Sequence, residues 1–339
     1  NDSDSDHLDV LHVAAVNGIA GQVAQTVTGS NGGTFVIAAN GTYSFDPGNA
    51  FQGLSVGEST TTEVSYTVAD LAGATATQTL TITVTGTNDA AVLSSATVAL
   101  AETNAPLSTS GTLTISDVDS AQTFVAQSDT VGSYGHFTIG TDGAWTYTAD
   151  SAHNEFVEGV TYTDTFAVAS ADGTPTSVTV NITGTNDAAV LSSATVNLDE
   201  TNAALTTGGT LTISDVDSPA QYVAQTNVAG GYGTFSIDAS GNWNYMANSA
   251  FDNLNVGQSV SDTFTVASAD GTSTSVQVTI NGTNDAAVLS VAVVALAETD
   301  APLTTGGTLT ISDVDSAQTF VAQTDTAGSY GHFSIGTDG

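Results

Sequence analysis

The chain has 339 residues, 35 acidic side chains and no lysine or arginine, giving a formal net charge of −35. Without a basic side chain there is no phosphate-loop or Schiff-base lysine, no arginine finger and no patch for nucleic acid or anionic lipid. A hydrophobic content of 40% excludes a disordered acidic tail, and the lack of cysteine excludes disulfides and thiolate metal sites.

Threonine, serine, valine, alanine and glycine dominate, which predicts an all-β chain. No apolar run approaches the roughly 18 residues of a membrane span. No signal-peptide pattern opens the chain, so export is expected to be directed by sequence outside it.

Internal repetition sets the domain order. Leu-Thr-Ile-Ser-Asp-Val-Asp-Ser begins at 113, 211 and 309, and Gly-Thr-Asn-Asp-Ala-Ala-Val-Leu begins at 86, 184 and 282, a constant spacing of 98 residues. Trp145 recurs as Trp243, and Asp164-Thr165-Phe166 as Asp262-Thr263-Phe264. A diverged unit (1–87) comes first; its Asp4-Ser5-Asp6 is read as the counterpart of the later Asp-Val-Asp, so that it lacks the opening strands. Two complete units follow (88–185 and 186–283), then a partial one (284–339) ending at Gly339, which matches Gly143 and Gly241 in a hairpin turn. The two partial units overlap instead of complementing each other, which argues against donor-strand polymerisation and for an excerpt of a longer array.

In the third unit, alternating apolar and β-branched residues predict strands over Ala194–Leu198, Thr210–Ile213, Tyr222–Gln225, Thr234–Ile237, Trp243–Tyr245, Thr263–Ala267 and Val276–Ile280. Asp238-Ala239-Ser240-Gly241 and Thr141-Asp142-Gly143 read as hairpin turns. About seven strands in about 98 residues predict an immunoglobulin-like Greek-key β-sandwich in each unit. Trp145, Tyr147, Trp243 and Tyr245 fall on the core face.

The acids that matter are those recurring in phase. Each unit boundary carries Asn-Asp: Asn88-Asp89, Asn186-Asp187 and Asn284-Asp285. A glutamate follows (Glu102, Glu200, Glu298), then the pairs Asp117/Asp119, Asp215/Asp217 and Asp313/Asp315, and late in each complete unit Asp172 or Asp270. A single aspartate is an ordinary turn former or solubilising group. Four acidic elements recurring around a short linker are instead expected to meet at a seam. Two like charges about 4 Å apart repel by about 1 kcal/mol in water and about 4 kcal/mol at an effective dielectric of 20. Calcium, which takes 6–8 oxygens in a tolerant geometry, is the cation such a set would recruit.

Gly-Thr-Asn-Asp, Ser-Asp-Val-Asp, Asp-Gly-Ala-Trp-Thr-Tyr and Val-Ala-Ser-Ala-Asp-Gly-Thr-Pro together resemble the VCBS-type repeat of giant bacterial surface adhesins, many of the RTX group exported by type I secretion. The units are also similar to cadherin domains, in which an early Glu, a linker Asn-Asp, an Asp-x-Asp and a later Asp converge on calcium. The resemblance implies that Glu102, Asn186, Asp187, Asp215, Asp217 and Asp270 serve the seam between the complete units. It implies Asn88, Asp89, Asp117, Asp119 and Asp172 for the seam before, and Glu200, Asn284, Asp285, Asp313 and Asp315 for the seam after. The mid-domain acidic motif of cadherins has no evident counterpart, because Glu155 and Glu158 give way to Asn253 and Val256 one unit later. The first unit's Asp70 lies in a different loop sequence and is not equated with Asp172.

Catalysis is not expected. Ser, His and Asp occur, but no Gly-x-Ser-x-Gly elbow organises a triad, and carboxylate pairs copied in every unit do not behave like one active site. His153, Glu155 and Glu158 are read as a solvated loop, and His136 and His332 as a tolerant surface position. Asn40, Asn181 and Asn281 open glycosylation sequons of low specificity.

Three functional classes fit these features. The first is a calcium-stiffened extender of a large secreted or surface-attached adhesin, its partners being neighbouring repeats and other copies of the chain. The second is the subunit of an extracellular filament, sheath or surface layer, which in-phase outward apolar residues would favour. The third is a carbohydrate-binding accessory module of a secreted hydrolase, for which exposed aromatic platforms are expected.

Overall fold

A computed structural model describes residues 10–339; the Asp4-Ser5-Asp6 correspondence lies outside them. Of the described residues, 10–153 together with 159–184 form one compact unit, and 154–158 with 185–339 a second. Strands make up both. No α-helix occurs among the described residues, whose helical content is a single 3-10 turn, Ala20–Gln22.

The second repeat shows how alternation builds a sandwich. One sheet orders Gln127–Val131, Gly135–Ile139, Ala144–Ala149 and Ser108–Thr112, all antiparallel. In the other, Thr161–Ala169 pairs antiparallel with Pro175–Thr183, which pairs in parallel with Ala96–Ala101. The short strands Val92–Leu93 and Ile115–Ser116 close the linker end. A single bridge from Phe124 to Ser170 brings the chain across from one sheet to the other.

Period-two patterning decides which side chains enter. Along Gly135–Ile139 and Ala144–Ala149 every second residue is buried, and the register sets Phe137 opposite Tyr147 and Ile139 opposite Trp145. Phe137 stacks on Phe166 of the facing sheet at 4.7 Å and 10°. Phe235 and Phe264 repeat this contact in the third repeat at the same distance and angle. Burying each such side chain contributes about 1.5–3 kcal/mol, so the aromatic centre is the main apolar stabiliser of each complete repeat.

One polar group enters this core by design of the same alternation. Asp164 lies in phase with Phe166 and Val168 and is 4% exposed. Its carboxylate accepts the Ser133 and Tyr134 N–H groups at 2.6 and 3.1 Å and the Tyr147 hydroxyl at 3.0 Å. Asp262 does the same for Gly231, Tyr232 and Tyr245. Burial, then the neighbouring carboxylate, pushes both tyrosine hydroxyls well above their ordinary pKa. The first repeat makes the paired exchange: Thr62 takes the Asn31 N–H and donates to the Gly32 carbonyl, while Phe45 needs no acceptor. Polar satisfaction is thus kept with a different residue pair.

Hairpins follow the turn residues. Gly143 sits at φ +82°, where a Cβ would lie 2.4 Å from the Leu113 carbonyl oxygen and 2.8 Å from the Phe124 ring. In the third repeat Asp238 accepts the Ser240 and Asn242 N–H groups, both at 2.9 Å, before Gly241. Two strand expectations shift. Thr210–Ile213 divides into Thr206–Thr210 and Ile213–Ser214, and Tyr222–Gln225 becomes the bridge Tyr222–Ser268 followed by the strand Gln225–Ala229. In each case the chain leaves one sheet partner for another, and periodicity does not register a change of partner.

Candidate metal centre

The Asp-x-Asp segment is a self-supporting turn. Asp117 Oδ1 accepts the Asp119 and Ser120 N–H groups at 3.0 and 2.7 Å, which bends the chain and turns both aspartates toward the preceding linker. Asp119 Oδ2 then accepts the linker's Asp89 N–H at 3.2 Å, while Asn88 accepts the Ser120 hydroxyl. The first repeat reaches the same turn, with the Ser55 hydroxyl donating to the Asp119 carbonyl at 2.7 Å. After these bonds, Asp117 Oδ2 and Asp119 Oδ1 are buried without a donor.

The third and fourth repeats reproduce the turn. Asp215 Oδ1 accepts from Asp217 and Ser218, and Asp217 Oδ2 from the Asp187 N–H, leaving Asp215 Oδ2 and Asp217 Oδ1 buried without donors. Burial, opposed by the Asp187 N–H and aided by the Asp215 and Asp187 charges, raises the Asp217 carboxyl above its usual range. Asp313 Oδ1 accepts from Asp315 and Ser316, and both carboxylate oxygens of Asp315 are buried without donors.

The fullest cluster lies where the third repeat meets the fourth. Glu200 is 2% exposed. Its Oε1 is held by the Thr283 N–H at 2.8 Å and the Thr283 hydroxyl at 2.9 Å, which leaves Oε2 buried without a donor. Glu200, Asp252 and Asp285 present oxygens within 4.8 Å of one another. Asp252 Oδ1 and Asp285 Oδ2 also lack donors. Burial and then the charges of Glu200, Asp252 and Asp315 hold the Asp285 carboxyl above its ordinary pKa.

At 4.8 Å each carboxylate pair repels by about 3–4 kcal/mol at an effective dielectric of 20. Buried polar atoms are normally satisfied, so clustered carboxylates that each keep a donor-free buried oxygen make a locally negative site that favours a cation. An all-oxygen set drawn from flexible carboxylates matches a hard divalent cation and not a thiophilic metal.

Asp252 is the member of this cluster that sequence reasoning missed. It supplies the mid-domain acid expected to be absent, one position before Asn253, where the first and second repeats carry Gln52 and Asn154. Asp172 and Asp270, by contrast, are spent locally. Asp172 Oδ1 accepts the Ser170 hydroxyl and the Thr174 N–H, and Oδ2 accepts the Thr174 hydroxyl, the Ala91 N–H and Asn88 Nδ2. Asp270 bonds equivalently to Ser268, Thr272 and Ala189. The Ser170 and Thr174 hydroxyls hold the Asp172 carboxyl well below its usual range. For Asp270, burial raises it and the Ser268 and Thr272 hydroxyls more than offset that. These two fasten the late hairpin to the linker. Asp70 instead repeats the backbone bonding of Ser170, as the unlike loop sequence predicts.

The remaining candidates sit as follows. Glu102 is buried at its strand end, where its N–H donates to the Thr183 carbonyl at 2.8 Å, the bond Glu200 makes to Asn281 at 2.9 Å. Asp187 is buried and Asn186 exposed. Asn284 Nδ2 donates to the Asp285 carbonyl at 2.8 Å and Asn284 Oδ1 accepts the Ser316 hydroxyl, which shapes the linker.

The sequence profile described as the bacterial cadherin-like domain matches residues 1–86, 88–184 and 186–283. No curated protein matches the chain. Among solved structures, the protocadherin GammaB4 extracellular domain is 14% identical with a TM-score of 0.43, over 90% of this chain and 52% of its own. The protocadherin gammaB7 EC3-6 structure is 13% identical with a TM-score of 0.41, over 98% and 84%. Drosophila N-cadherin EC1-4 is 18% identical with a TM-score of 0.31, over 83% and 69%. The chain thus spans about half the length of the first of these.

Proposed function

The chain belongs to the bacterial cadherin-like domain family, and we propose that its repeats are calcium-braced extender segments of a secreted or surface-attached bacterial adhesin. The observation that carries this reading is the clustering of Glu200, Asp252 and Asp285 carboxylates within 4.8 Å of one another, each residue with a buried oxygen that no protein donor reaches. Glu200 and Asp252 belong to the third repeat, Asp285 to the linker, and Asp315, whose charge is felt at Asp285, to the fourth. A cation held by all of them resists bending at the joint, because tilting one repeat withdraws ligands from the other.

Asp215 and Asp217 at the start of the third repeat, and Asp117 and Asp119 at the start of the second, carry the same kind of buried carboxylate oxygens without donors. The task would be mechanical: holding a distal binding domain away from the cell for adhesion or biofilm cohesion. Extracellular calcium modules typically bind with Kd of about 10⁻⁴–10⁻³ M, so millimolar calcium outside a cell would fill the sites. Solution scattering tests the reading. Chelation is expected to shorten the maximum dimension and broaden the distance distribution, and calcium to restore both. An unchanged profile counts against bracing.

A second reading, lateral assembly into a filament or sheath, gains one observation. Val92, Val190 and Val288 are 72%, 72% and 71% exposed at the same position of successive repeats, and Val118, Val216 and Val314 are exposed likewise. Imaging of dilute protein separates the two: isolated thin particles favour the extender, ordered bundles the filament.

A further inference from the structure

We infer that the outer face of the four-stranded sheet in the third repeat is a binding site for a neutral oligosaccharide. Residues Thr206–Thr210, Asn242–Ala247, Gly233–Ile237 and Gln225–Ala229 lie side by side there, and their outward side chains enclose a concavity of about 460 Å³. Small-molecule sites span about 300–1,000 Å³. Its working surface consists of Gly208, Asn227, Thr234, Ser236, Asn244 and Met246. Gly208 opens the floor: a Cβ there would stand 2.6 Å from the Trp243 carbonyl oxygen. Asn227, held at φ +50° with its N–H on Ser236 Oγ at 2.9 Å, forms one wall. The side-chain amides of Asn227 and Asn244 make no hydrogen bond among the described residues, so both present donors and an acceptor to an incoming group. Met246 is 55% exposed and supplies an adaptable apolar surface.

Charge selects the ligand class. In a chain of net charge −35, no residue lining this concavity is ionisable except the buried Tyr245. Lacking carboxylates it does not concentrate cations, and lacking any basic group it is hostile to phosphates and uronic acids in the field of the whole molecule. Paired amides and hydroxyls around a thioether suit sugar hydroxyls beside the apolar C–H face of a pyranose.

The second repeat provides the contrast within the same chain. There Asp129 replaces Asn227, His136 replaces Thr234, and Asp150 replaces Asn248 beside the face. His136 Nδ1 lies 2.9 Å from Asp129 and Nε2 3.0 Å from Asp150, so the polar groups of that face are engaged with one another. The fourth repeat again pairs His332 with Asp325, at 3.1 Å. Three positions change together between the second and third repeats, and the third is neutral at all of them.

The test presents the full chain to immobilised neutral oligosaccharides (glucans, mannans and galactans) beside polyuronates. The expected result is retention on at least one neutral glycan and none on polyuronates. The triple variant Asn227→Asp, Thr234→His, Asn248→Asp, which transplants a face the fold already accommodates, is expected to lower that retention at least tenfold with an unchanged unfolding temperature. Should it fold poorly, the pair Asn244→Thr, Met246→Thr restores the second repeat's residues at two other positions and should weaken binding likewise. No retention on any neutral glycan, equal retention by properly folded variants, or equal retention on polyuronates overturns the assignment.

Discussion

Replacing Asp252 with Asn should have opposite effects with and without calcium. The substitution keeps size and shape and removes one charge from a cluster whose three ligand atoms lie within 4.8 Å of one another. Two pairwise repulsions disappear, each about 3–4 kcal/mol at 4.8 Å and an effective dielectric of 20. Because Asp252 is only half-buried, solvent screening reduces the net gain to about 1 kcal/mol. In chelator the variant should therefore be more stable than the parent, by roughly 4–8 °C in the transition that reports the third repeat. In calcium the lost ligand matters more. At about 100 times Kd the ion contributes about 2.7 kcal/mol, and tenfold weaker binding leaves about 1.4 kcal/mol. The calcium-induced rise in stability should then fall by about half. Calorimetric unfolding in chelator and in calcium measures both arms. Destabilisation of equal size in both buffers would refute the reasoning, since it would make Asp252 a packing residue.

Three further outcomes follow from the same physics. Asp164→Ala strands two N–H groups and the Tyr147 hydroxyl in the core, so chemical denaturation should show a loss of about 3 kcal/mol; the pair Asp164→Thr, Tyr147→Phe, which copies the first repeat's Thr62 and Phe45, should lose less than the sum of its single changes. Gly143→Ala, at positive φ and against the Leu113 carbonyl, should cost well over 1 kcal/mol, whereas Gly57→Ala at φ +78°, with nothing near its Cβ position, should cost about 1 kcal/mol in the same assay. The pH dependence of unfolding should differ with calcium. The raised carboxyls of Asp217 and Asp285 make the calcium-free fold lose stability as pH rises from about 4 through their folded-state values. The lowered carboxyls of Asp172 and Asp270 contribute stability above about pH 4 that is lost on further acidification. Thermal scans in chelator should thus peak in mild acid, and calcium should move the peak toward neutrality.

The sandwich was legible because two signals agree in this sequence. The inward phase of Phe137, Trp145, Tyr147 and Phe166 is period two, and the turns carry Asp-Gly or Asp-x-x-Gly. The Asp-x-Asp pairs, the linker aspartates and Glu200 stand out in the sequence because they recur. Recurrence also has a blind spot. Asp252 has no acidic counterpart in Gln52 or Asn154, so nothing in phase marked it. Asp172 and Asp270 carry a second signal: the adjacent Ser-x-Asp-x-Thr spacing supplies hydroxyls that fold back on the carboxylate. That spacing was the available signal. Asp164 likewise recurs, and its phase with Phe166 and Val168 already placed it inside the core. What sequence spacing could not supply was the partner, since the Ser133 and Tyr134 N–H groups lie about 30 residues away.

Crystallographic location of the cation in calcium-replete protein tests the account most directly. The expected result is a Ca²⁺ ion with Glu200, Asp252 and Asp285 oxygens at about 2.3–2.6 Å and Asp315 contributing from the fourth repeat. Finding the three carboxylates turned apart into solvent around no ion, with calcium plentiful, would contradict it.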